Sequence, residues 1–147
     1  MKKSILSLVI LLCCVSTFSQ KRIDHIKTRE EKLNEQYCTG LFNTPEGIYF
    51  ELVNDHTVDG YNNILDWLQG RAAGLQVYTL KNNTRLPLIR NSLAGIYVDE
   101  IQRDPDFLNS LSVTDIAMIK IIKGPFAGGF NSPGGAIAIY PKDGDEE

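Results

Sequence analysis

The chain has 147 residues, with 43% hydrophobic and 22% charged, and its 15 basic residues are outnumbered by 18 acidic ones. A net charge of −3 leaves no basic surface able to neutralise a row of phosphates, so nucleic acid is excluded as an expected partner. The length suits a single domain of ordinary size.

The N-terminus reads as an address. Met1-Lys2-Lys3 gives a positive start, Ile5 to Val15 is nearly all apolar, and Ser16-Thr17-Phe18-Ser19 places small residues before Gln20. That is the layout of a secretory signal peptide over residues 1–19. The apolar run is too short for a spanning helix, which needs roughly 20 residues. A lipoprotein signal fits poorly, because Ile10, Leu11 and Leu12 are large where that peptidase wants a small residue. Removal of the signal takes Cys13 and Cys14 and leaves Cys38 without an internal partner. Cys38 is expected to be a half-buried apolar residue.

Residues 20–36 form a leader rich in both charges, expected to be a solvated helix or a mobile segment outside the core. Within residues 37–60, Gly47-Ile48-Tyr49-Phe50-Glu51-Leu52-Val53 reads as a strand between turn signals. A helix follows, capped by Asp59 or Asn62. Ile64, Leu65, Leu68 and Ala72 form its apolar stripe, and Trp67 lies off that stripe. Gly74 is placed to close its last turn, and Leu75 to Thr79 alternates like a strand. Residues 86–90 and 95–98 are two more strands. Pro105 opens a short helix whose apolar face is Phe107, Leu108 and Leu111. Residues 118–122 make a strand stopped by Gly124-Pro125. A glycine-rich bend leads to a last strand over 136–140, and the acidic tail 143–147 is expected to be disordered. Strands interspersed with two short helices predict a compact α+β domain with a small mixed sheet.

The search for chemistry assigns no catalytic, cofactor-binding or metal-binding residue. His25 and His56 sit in polar surroundings with no second ligand at a useful spacing. Ser92 and Ser110 lack the strand–turn–helix elbow of a hydrolase. The glycines between Gly124 and Gly135 run into a strand, with no Lys-Ser or Lys-Thr pair to build a phosphate loop. The expectation is a protein without enzymatic activity and without a cofactor.

Three stretches, in order, carry a resemblance. Asn63-Ile64-Leu65-Asp66-Trp67-Leu68-Gln69-Gly70-Arg71 followed by Leu75-Gln76-Val77 is the first. Tyr97-Val98-Asp99 is the second. The third joins Asp115-Ile116-Ala117-Met118-Ile119-Lys120-Ile121-Ile122-Lys123-Gly124-Pro125 to Gly134-Gly135-Ala136-Ile137-Ala138-Ile139-Tyr140. Together, residues 61–142 resemble the plug domain of TonB-dependent outer-membrane receptors, in particular the SusC-like branch of Bacteroidota. The resemblance implies a plug-like α+β fold and a place in the periplasm, associated with the outer membrane. No stretch provides the strands of a surrounding barrel, so the expectation is a plug standing alone.

Departures from the plug pattern bear on docking. Leu88-Ile89-Arg90-Asn91 stands where the family carries Arg-x-Arg-Gly, Asp99-Glu100 replaces its Asp-Gly turn, and Pro133 stands where its last loop usually has an arginine. Residues 21–36 contain no convincing TonB-box segment. The resemblance implies an accessory or binding module linked to outer-membrane transport, partnered by a barrel or another envelope protein. Two alternatives are a barrel-less remnant of a SusC-like receptor and a soluble periplasmic ligand-binding protein. Binding is expected through loops carried on a rigid scaffold, at Arg90, Asn91, Asp99, Arg103, Phe130 and Asn131. Apolar surface that a barrel would cover makes self-association a further expectation.

Overall fold

The computed structural model describes residues 27–126 and 132–142. The signal peptide, His25, Phe130, Asn131 and the acidic tail lie outside the described residues. Within them the elements run α1 (Arg29–Tyr37), β1 (Ile48–Glu51), α2 (Ile64–Leu68), β2 (Leu75–Thr79), β3 (Arg85–Ile89), β4 (Ser92–Val98), β5 (Ile101–Arg103), β6 (Ile116–Lys123) and β7 (Gly135–Pro141). Short 3-10 turns separate several of them. The strands form one seven-stranded sheet in the order β1-β6-β7-β4-β3-β2, with β5 added to β4. All neighbours are antiparallel except β4 and β7, so the sheet is mixed and the fold is α+β, as the sequence predicts.

The strand alternation gives this sheet two buried faces. On the first, Ile119 and Ile121 of β6, Ile137 and Ile139 of β7, and Ala94, Ile96 and Val98 of β4 pack with α2. On the second, Met118, Ala136, Ala138, Tyr140 and Tyr97 lie under a strap made of α1 and the turn Gly40–Phe42. Central strands covered on both sides read as unbroken apolar runs, which is the character of Ile116–Lys123 and Gly135–Pro141. The small residues Ala136 and Ala138 leave room for the aromatic side chains of the strap. At Gly135, with φ +116°, an added Cβ would stand 2.0 Å from the Ile122 carbonyl oxygen, so only glycine lets β7 start this close to β6.

Several expectations change. The charged leader is not outside the core: Leu33 and Asn34 of α1 are buried against the second face. Thr28 caps this helix through a capping box with Glu31, which starts a helix in a segment whose polarity hides its few apolar contacts. β1, which falls within residues 37–60, pairs with β6 along its length. The helix at 64 is capped by Asn63, whose side chain accepts from Leu65 N, and ends at Leu68. Gly74 has φ +81° but sits at the entrance to β2 beyond a turn. Trp67 is buried rather than off to one side. It meets the Phe50 ring edge-on at 5.5 Å and donates its indole N–H to Thr57 Oγ1 at 3.0 Å, which satisfies the polar tip.

Candidate functional site

Of the predicted binding residues that are described, Arg90 and Asn91 lie at one end of β4 and Asp99 at the other. Arg90 and Asn91 form the two-residue turn between β3 and β4, with φ of 52° and 63°. This matches a type I′ hairpin turn, which needs positive φ at both positions and favours asparagine and glycine. Both residues are exposed. Ala94 is buried in β4, so the predicted loop at 91–94 is a turn followed by strand. Gly134 lies beside this turn, donating its N–H to Leu93 O at 2.9 Å.

Asp99 lies at the far end, in the turn between β4 and β5. It has φ 48° and its neighbour Glu100 has φ 63°. Arg103, exposed at the end of β5, holds its guanidinium 5.2 Å from the Phe107 ring centre. The distance along β4 from Asn91 to Asp99 is about 25 Å at the usual strand rise. One ligand therefore does not span both groups without reaching across the sheet. Beside Asp99 lies an open groove of about 450 Å³, lined by Gln36, Tyr37, Val53, Tyr140 and Lys142.

The constellation that sequence reading missed lies between these ends, under the strap. Lys120, fully buried in β6, donates to Asn34 Oδ1, the Phe42 carbonyl and the Thr44 carbonyl, each at 2.6 Å. An ammonium has three donors, and here each has an acceptor from the strap. The Tyr49 ring lies 4.9 Å from the same nitrogen, a cation–π contact. The Tyr49 hydroxyl is 3.1 Å from both Asn34 Oδ1 and the Thr44 carbonyl. Burial pushes the Lys120 amine below the usual lysine range, while Cys38 and Glu100 pull it back. A buried lysine is tolerated only when its donors are matched, and that condition is met.

Glu100 supplies a second clamp. Its carboxylate accepts from Thr39 N, from Thr39 Oγ1 at 2.7 Å and from Tyr140 Oη at 3.2 Å. Glu100 thus ties the strap to the end of the sheet. Cys38 is fully buried beside Tyr140, and burial pushes its thiol up. Phe42 completes the strap, with its ring centre 4.9 Å from that of Tyr97 and 4.7 Å from that of Phe126. A sequence signal for this arrangement did exist: Lys120 is a lone charge in the apolar run Ala117-Met118-Ile119-Lys120-Ile121-Ile122.

Chemically the arrangement holds backbone rather than reactive groups. His56 is solvent-facing and sits 3.4 Å from Asp59. Among the described residues no three His, Cys, Asp or Glu side chains converge as metal ligands, and no helix is long and apolar enough to cross a membrane.

This mixed sheet, with β4 and β7 parallel at its centre, gives a fold shared with solved structures of TonB-dependent receptors. The solved structures that share it include the ferric yersiniabactin uptake receptor FyuA from Yersinia pestis. The TM-score is 0.54 at 18% identity, over 69% of this chain and 18% of that one. The RagAB peptide importer in its 'closed-closed' state aligns with a TM-score of 0.50 at 21% identity, over 71% of this chain and 13% of that one. This chain therefore spans a small part of either receptor's length, and at these identities the likeness concerns the fold. The sequence matches no protein-family profile and no curated protein.

Proposed function

We propose that this chain is a plug-domain protein of the TonB-dependent receptor type, closest to the SusC-like branch of Bacteroidota. In this reading it is exported by its signal peptide and acts in the periplasm at the outer membrane. It works there as a non-enzymatic accessory or binding module linked to transport. The observation that carries the reading is the shared fold with FyuA and the RagAB importer over about 70% of this chain. The plug-like stretches support it by their placement. Asn63 to Val77 supplies α2 and most of β2, Tyr97 to Asp99 ends β4, and the stretches at Ile116 to Lys123 and Gly135 to Tyr140 supply β6 and most of β7, with β7 next to β4 at the centre of the sheet.

The non-catalytic reading draws on where the perturbed groups lie. Lys120, Tyr49 and Tyr140 spend their polar atoms on the strap and on Glu100, instead of lining an enclosed cavity as active-site groups do. Partner contacts fall to the exposed turns at Arg90, Asn91 and Asp99, with Arg103 beside the last of these.

Cross-linking of a tagged copy in its native host, followed by envelope fractionation, tests the reading. Recovery in the outer-membrane fraction, cross-linked to a barrel protein, is the expected result. Recovery only as a free species with no envelope partner would overturn the transport link.

A further inference from the structure

Strand β2 borders one end of the sheet. It is bonded to β3 on one side and to no strand of the described residues on the other. The register decides which of its backbone groups face outward. Arg90 N donates to Gly74 O at 3.1 Å and Leu80 N to Thr84 O at 2.8 Å. The bonded rungs of this hairpin are therefore 74 with 90, 76 with 88, 78 with 86 and 80 with 84, because bonded and non-bonded rungs alternate in an antiparallel pair. Pro87 stands opposite Val77, a non-bonded rung where its missing N–H is not needed. Leu75, Val77 and Thr79 consequently turn their N–H and C=O groups away from β3. The Leu75 N–H is taken by Ala72 O at 3.0 Å. The N–H groups of Val77 and Thr79 have no acceptor among the described residues.

Nothing among the described residues blunts this edge. Exposed edges are usually guarded by lysine, proline or a bulge, yet residues 74–80 contain no charge and no proline, and the β2–β3 register runs without a shift. The other edges are guarded: β1 is four residues long and ends in Glu51, bonded by Arg29, and β5 is three residues long and ends in Arg103. Tyr78 and Leu80 beside the open edge are 55% and 45% exposed.

We propose that β2 pairs with β2 of a second copy, antiparallel about a two-fold axis through Val77, so that two sheets join into one. The strand is complementary to itself about that residue. Val77 of each copy exchanges both backbone bonds with Val77 of the other. The N–H of Thr79 reaches the free carbonyl of Leu75 across the axis, so the prior use of the Leu75 N–H is accommodated. Tyr78 then lies beside Gln76 of the second copy, an aromatic cover over an amide stem. Residues 74–80 carry no charge, so no like charges oppose one another within the paired strands. The same symmetry makes a second copy a better occupant than an unrelated strand. The pairing does not depend on the envelope reading above.

Sedimentation equilibrium on the full chain, from micromolar to sub-millimolar concentration, is the first measurement, and a monomer–dimer equilibrium is expected. Thr79→Pro removes an outward N–H that β3 does not use, and Val77→Lys places two cations directly opposite each other. Each is expected to weaken association by at least about tenfold. Amide exchange on the wild type should show protection of Val77 and Thr79 that rises with protein concentration. A chain that stays monomeric throughout overturns the proposal, and so does a dimer unaffected by both substitutions. If either variant loses its fold, the wild-type exchange decides: concentration-independent Val77 and Thr79 amides overturn the pairing.

Discussion

Lys120 and Glu100 show opposite ways for one side chain to hold a strap. The Lys120 amine matches its three protons to three acceptors, so its removal leaves the Phe42 and Thr44 carbonyls and Asn34 Oδ1 buried without that donor. An unsatisfied buried group costs about 1–3 kcal/mol. Lys120→Met, which keeps the volume, is therefore expected to lower stability by about 3 kcal/mol in urea unfolding. Lys120→Arg should not restore it, because a planar guanidinium does not fit a three-way ammonium cage. Glu100 adopts φ 63°, a conformation that costs a non-glycine residue about 1 kcal/mol or more. Its carboxylate offsets this by bonding Thr39 and Tyr140. Glu100→Ala keeps the strain and loses the clamp, whereas Glu100→Gly loses both. The glycine variant should be the more stable of the two by about 1 kcal/mol, and both should speed exchange of the Thr39 amide. Equal stabilities would show that the turn is not strained.

At the scale of elements, the strap is the part whose role composition hides. Residues 27–36 are charged enough to pass for a solvated leader, yet α1 buries Leu33, and Phe42 behind it meets Tyr97 and Phe126. Phe42→Ala removes that anchor and is expected to cost about 3 kcal/mol or more. It should also produce binding of an apolar dye as the Tyr97, Met118 and Tyr140 face opens. A variant that stays dye-silent and loses under 1 kcal/mol would mean that α1 alone covers the face. The strands themselves were legible: β6 and β7 carry apolar runs with turn signals at their ends, and every predicted strand appears within a few residues of its place. What escaped the sequence was long-range. The pairing of β1 with β6, the three-residue β5 and the cage around Lys120 depend on contacts between residues up to 86 positions apart. No local periodicity records such contacts. The exposed turns at Arg90 and Asp99 were legible as turns, but their separation at opposite ends of β4 was not, because it follows from the direction in which that strand lies in the sheet.

For the molecule as a whole, a strap fastened by tyrosine hydroxyls and a buried amine makes folding sensitive to alkali. Burial raises the phenols of Tyr49, Tyr97 and Tyr140, and Tyr49 is pushed up to about 12. In the unfolded chain a tyrosine ionises near 10. Below pH 10 the phenols are neutral in both states and their contribution is fully present. As pH rises from about 10 to about 12, the unfolded chain sheds phenolic protons that the folded chain still holds, so stability falls through this window. Lys120 works the other way. Its folded amine lies below the ordinary lysine range, so the folded state releases that proton first and gains stability as pH approaches 10 to 11. Three phenols, and the Cys38 thiol that burial also raises, oppose one amine, and the net expectation is a fall in unfolding free energy that steepens above pH 10. Urea unfolding between pH 8 and pH 12, read alongside tyrosinate absorbance, measures it. Tyr49→Phe should make the fall shallower by removing one of the three phenols, whereas Lys120→Met should make it steeper by removing the opposing amine. A free energy that climbs through pH 11 in the wild type would mean that the amine outweighs the phenols. The strap's hold would then rest on the Lys120 cage more than on the hydroxyls around it.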